Sequence, residues 1–84
     1  MTEVYVKFHN VEHVLRFIDT IEKFEDVDFN MGAGNRIVDA KSVIGVLALD
    51  LSKPQRLSFC SDDLEIMNKL APYIAHCKVA GSSL

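Results

Sequence analysis

The feature that most constrains this chain is a change of period within its first two dozen residues. Over residues 2–8, Thr2, Val4, Val6 and Phe8 alternate with Glu3, Tyr5 and Lys7. A repeat of two places one set of side chains on a buried face and predicts a half-buried strand. After Asn10 the apolar residues recur at helical spacing: Val11, Val14, Leu15, Ile18 and Ile21, widened by Phe17 and Phe24. Glu12, His13, Arg16, Asp19, Glu22 and Lys23 fall largely on the other side, so residues 11–24 predict an amphipathic helix with Asn10 as its N-cap. A strand that passes at once into a one-sided helix must bury both apolar faces against each other. The class is therefore layered, with helix on sheet.

The same reading extends along the chain. Val27, Phe29 and Met31 alternate, Gly32-Ala33-Gly34-Asn35 supplies turn residues, and Arg36 to Asp39 returns, which predicts a hairpin over 27–40. Ser42 caps a short apolar helix from Val43 to about Asp50, with Val46 and Leu49 inward and Val43, Ile44 and Leu47 on the opposite side. Gln55 to Cys60 forms a further strand with Leu57 and Phe59 inward. In Asp62-Asp63-Leu64-Glu65 a cap carboxylate is followed by glutamate three positions on, a capping box for a last helix. That helix draws its apolar face from Leu64, Met67, Leu70, Ala71 and Ile74, with Pro72 kinking or shortening it. The order is β-α-β-β-α-β-α, an α+β two-layer sandwich in a single domain over 1–84, with 78–84 as a frayed tail.

Composition narrows the function classes. Eighty-four residues with a formal net charge of -3 and about half apolar side chains make one small globular domain, not a disordered chain. No apolar run reaches the roughly 18 residues that a membrane span needs. A mildly acidic chain lacks the excess of cations that binds nucleic acid. The expectation is a cytoplasmic monomer with no cofactor, no membrane insertion and no nucleic-acid partner. Cys60 and Cys77 are expected as reduced, buried thiols, since a bridge-stabilised secreted domain of this size carries more cysteines.

Three candidate chemistries start from short patterns. His9-Asn10-Val11-Glu12-His13 fits H-x-x-E-H, which binds zinc when both histidines share one continuous helix. The strand pattern runs to Phe8 and leaves His9 outside the helix, with no third ligand in view, so no metal site is expected. Gly32-Ala33-Gly34 leads into a strand and not a helix, which excludes a phosphate-cradling loop. A Ser/His/Asp triad has no nucleophile elbow to sit on. What remains is a short helix with aliphatic side chains on its outer side, Val43, Ile44 and Leu47, a candidate surface for docking another protein.

The segment Ala40-Lys41-Ser42-Val43-Ile44-Gly45-Val46-Leu47-Ala48-Leu49 resembles the signature of HPr, the histidine-containing phosphocarrier family of bacterial sugar phosphotransferase systems. Length, element order and the closing capped helix are also similar, so the resemblance covers about residues 2–76. It implies an open-faced sandwich, a four-stranded antiparallel sheet with three helices on one face. Members of the family open their first helix with Gly-Leu-His-x-Arg-Pro-Ala, whose histidine carries a phosphoryl group from enzyme I to a sugar permease. In this chain, alignment through Phe17-Ile18 and Phe24 sets Asn10 at that histidine, Glu12 at the arginine and His13 at the proline. A shift by one sets His9 at the histidine, with Val11 and Glu12 at the arginine and proline.

A phosphohistidine needs its anion held by helix amides and a cation. Glu12 brings the wrong charge, and asparagine has no nucleophilic ring nitrogen. The expectation is a noncarrier, non-enzymatic relative that works as a regulatory or protein-binding module through residues 42–49. Ser42 corresponds to the serine that a dedicated kinase phosphorylates in Gram-positive members. The partners so implied are phosphotransferase-system components, an HPr-type kinase or a transcription regulator. A second reading keeps phosphotransfer, with His9 or His13 as a relocated acceptor. A third, a small-molecule-binding unit of the ACT type, lacks the short helix before the last strand.

Overall fold

The computed structural model describes residues 1–78, and for residues 76–78 the backbone alone. Its elements, in chain order, are β1 Thr2–Val6, α1 Val11–Glu22, β2 Phe29–Ala33, β3 Arg36–Asp39, α2 Val43–Leu47, β4 Gln55–Phe59, α3 Leu64–Leu70, a 3-10 turn Ala71–Tyr73 and β5 Ile74–Lys78. The strands form one antiparallel sheet in the order β3-β2-β4-β1-β5. With three helices this is an α+β arrangement compatible with a two-layer sandwich.

The period-two rows place the core. Val4, Val6, Phe29, Met31, Leu57 and Phe59 are buried on the inner face of the sheet and join Val14, Phe17, Ile18 and Ile21 of α1 in one cluster. Val46 and Leu49 enter it from α2 and its C-terminal side, Ile66 and Leu70 from α3. The alternate residues Glu3, Tyr5, Asn30, Arg56 and Ser58 are half-buried or exposed on the outer face. Among the described residues one polar side chain is buried with the core: Gln55 donates through Nε2 to the carbonyls of Asp50 (2.7 Å) and Lys53 (3.1 Å). This ties down the loop that joins α2 to β4, because a buried amide left without those acceptors would lose a bond it cannot regain from water.

The sheet has five strands where four are expected, and the extra one replaces the end of the last helix. The α-helix stops at Leu70, one residue before the 3-10 turn that holds Pro72. Proline lacks the N–H that the next helical turn would require. The chain turns extended at Ile74, and residues 74–78 pair with β1, with a register shift between Tyr5 and Val6. Lys78 thus ends a strand, and the rest of the expected tail lies outside the described residues.

Smaller departures concern which helix positions are buried and where the helices begin and end. In α1 the buried positions are Val14, Phe17, Ile18 and Ile21, while Val11 and Leu15 are exposed. In α3 they are Ile66 and Leu70, with Leu64 exposed and Met67 half-buried. The α3 cap is Asp63, whose Oδ1 accepts from the Glu65 N–H at 2.9 Å, and not Asp62. Helix α1 ends at Glu22 and α2 at Leu47, each short of its expected limit.

Candidate functional site

Helix α1 begins where the β1 alternation stops. Asn10 is extended, and its Oδ1 accepts from the His13 N–H at 2.8 Å. That bond satisfies one of the amides a helix start leaves without a partner. His9 lies outside the helix, and its backbone N–H donates to Nδ1 of His13 at 3.3 Å. The His9 ring stacks on the His13 ring at 5.1 Å and 14°, and Tyr73 covers His13 at 4.7 Å. The His13 ring is therefore held between the β1–α1 turn and the 3-10 turn that replaces the end of α3.

These contacts set its chemistry. Nδ1 is an acceptor, so the proton of the neutral ring resides on Nε2. Partial burial, then the charges of His9 and Arg16, hold His13 below its ordinary pKa. Arg16 pairs with Glu12 at 2.9 Å across one helical turn. His9, Asn10, Glu12, His13 and Arg16 line a shallow cleft of about 130 Å³. No sequence motif points to Arg16 as part of this site. Its spacing from His13 (i, i+3) and Glu12 (i, i+4) was the available signal. As a cation for a histidine-bound anion it is already paired, and the Nδ1 lone pair is in use.

Metal binding fares no better. In-plane lone pairs of two nearly parallel stacked rings point side by side and do not converge. Among the described residues no group of three or more His, Cys, Asp and Glu could hold a metal ion.

At the second candidate region, Ser42 Oγ accepts from the Gly45 N–H at 3.2 Å and caps α2. Val46 turns inward, and Val43, Ile44 and Leu47 turn out, with Ile44 84% exposed. The two residues before the cap have structural work. Ala40 is buried. Lys41 sends Nζ to the Phe24 carbonyl just past α1 (2.9 Å) and stands 5.7 Å from the Phe29 ring centre. A cation there meets the carbonyl-rich end of α1 and the face of an aromatic ring, both favourable. A Cβ on Gly45 would lie 3.3 Å from both Ser42 Oγ and Val38 Cβ, so a small residue lets α2 sit close to β3.

Gly32-Ala33-Gly34 runs out of β2 into the hairpin turn, with Gly34 at φ +61°. Cys60 is exposed, contrary to expectation, because it follows the last inward residue of β4, Phe59. The side chain of Cys77 lies outside the described residues. Among the described residues no helix is long and apolar enough to cross a membrane. No protein-family model matches the chain, and neither a curated protein nor a solved structure matches it.

Proposed function

We propose that the chain is an HPr-like noncarrier protein, a regulatory or protein-binding module whose working surface is Val43, Ile44 and Leu47 on α2. The observation that carries this reading is the exposure of Ile44 on a helix anchored through Val46. An aliphatic side chain left in water gains about 1.5–3 kcal/mol when a partner covers it. A five-residue helix held at its cap and by one buried valine presents that side chain on a fixed support.

The HPr likeness rests on the Ala40–Leu49 signature, and the sheet carries one strand more than the four it implies. The partners this likeness suggests are phosphotransferase-system proteins, an HPr-type kinase or a transcription regulator, met by a monomer in the cytoplasm. Exposed Ser42 is the candidate regulatory phosphosite. A phosphate there would replace a neutral cap by a dianion beside the Gly45 N–H. Incubation with an HPr-type kinase and ATP, followed by intact-mass measurement, tests it. One added phosphate, lost in Ser42→Ala, supports the assignment, and an unmodified mass counts against it.

One observation favours a second reading. Arg16 shares the cleft with His9 and His13, and a cation beside an imidazole is what a phosphoryl acceptor requires. The occupied Nδ1 of His13 and the Glu12 carboxylate on Arg16 weigh against it. Enzyme I and phosphoenolpyruvate, assayed for acid-labile phosphate on this chain, decide between the two readings. No label supports the noncarrier.

A further inference from the structure

The outer face of the sheet, remote in character from α1 and α2, holds a hollow of about 250 Å³. Its origin is a gap in a cross-strand row. Gly32 of β2 pairs with Ile37 of β3 on one side and Arg56 of β4 on the other. No side chain therefore stands between the Ile37 and Arg56 side chains. The gap is built in, because a Cβ at Gly32 would lie 2.0 Å from the Arg36 carbonyl oxygen.

In the next row Asn30 pairs with Ser58, and both line the same hollow. Half-buried Arg56 and Ser58 and exposed Asn30 make no side-chain hydrogen bond or ion pair with any described residue. This is unlike the α1 cleft, whose polar groups satisfy one another. Three unpartnered donors on neighbouring strands surround a space that Met1 and Ile37, 60% exposed, close on the apolar side.

We propose that this hollow binds a small organic monocarboxylate with a short aliphatic tail. The carboxylate accepts from the Arg56 guanidinium, with Asn30 Nδ2 and Ser58 Oγ as further donors, and the tail lies against Ile37 and Met1. A planar guanidinium suits a planar carboxylate with two parallel bonds. Glu3, which has a partner of its own, pairs with Ser58 across β1 and β4 and also lines the hollow. Its carboxylate meets any second anionic group on the ligand, so dicarboxylates and phosphate are disfavoured. The volume lies below the range of drug-sized sites, about 300–1,000 Å³, and fits a short ligand.

Titration of the full chain with 4-methylpentanoate, followed by amide chemical shifts, tests this. Saturable shifts at Gly32, Ile37 and Arg56 are expected, with binding weakened at least tenfold in Arg56→Gln, about the loss of one charge-assisted bond. Asn30→Ala supplies a second variant should Arg56→Gln fail to fold, and it too should weaken binding. Glutarate, inorganic phosphate and 3-methylbutylamine should each bind at least tenfold more weakly. The proposal is overturned by absence of saturation, by unchanged affinity in a folded variant, or by the amine or phosphate binding as tightly as the acid.

Discussion

Two helix starts in this molecule use the same cap and present opposite surfaces. At α1 Asn10 bonds the N–H three residues on, at α2 Ser42 does the same. The first turn of α1 is then polar and closed on itself: His13 accepts from His9, and Glu12 holds Arg16. The exposed side of α2 is aliphatic and has nothing to close on. Polar groups that satisfy one another gain little from a partner, whereas exposed aliphatics gain from any surface that covers them. The contrast favours the proposed docking at α2 and makes the α1 start a structural clasp, even though His9 and His13 meet there.

Substitutions along α2 should separate anchor from surface most strongly. Val46→Ala should cost about 2 kcal/mol of folding free energy in urea denaturation, because it empties core volume. Ile44→Ala should stay within about 0.5 kcal/mol. A comparable loss at both would mean that Ile44 is core and the docking surface does not exist. The two caps come next: Asn10→Ala should cost about 1 kcal/mol and Asn10→Ser should restore most of it, by thermal melts. Ser42→Ala, at the longer bond and the shorter helix, should cost less.

The clasp also makes stability depend on pH, in a direction that its geometry dictates. A proton on His13 Nδ1 would face the His9 N–H, donor against donor, and the folded state holds this histidine below its ordinary value of 6.5. The folded chain thus binds that proton less readily than the unfolded one. The stabilisation is complete above the unfolded value and is lost as pH falls through the lowered folded value. Urea midpoints should fall on acidification from about pH 7.5 to about pH 5.5, and His13→Gln should reduce that fall. The smallest effect belongs to the exposed Glu12–Arg16 pair: Glu12→Gln should change stability by no more than about 0.5 kcal/mol, and less in high salt.

How far the sequence led follows from which signals are local. The change from period two to helical period around Asn10, the hairpin around Gly34 and the Ser42 cap are local, and all are where their spacing puts them. β5 was hidden because Leu70, Ala71 and Ile74 continue a helical spacing through Pro72, and pairing with β1 is a long-range event. The clasp was hidden for the same reason, since Tyr73 reaches His13 only after the helix has been cut short. In the signature around Ser42, the roles of Ala40 and Lys41 turn out to be packing and closure of α1, which spacing alone does not reveal.

The claim that α2 and not the α1 start is the working surface is most directly tested by amide chemical shifts of the full chain during titration with an HPr-type kinase. Perturbations concentrated on residues 43–47, and lost in Ile44→Ser, are the predicted result. Perturbations confined to residues 9–16, or none at saturating kinase, would contradict it.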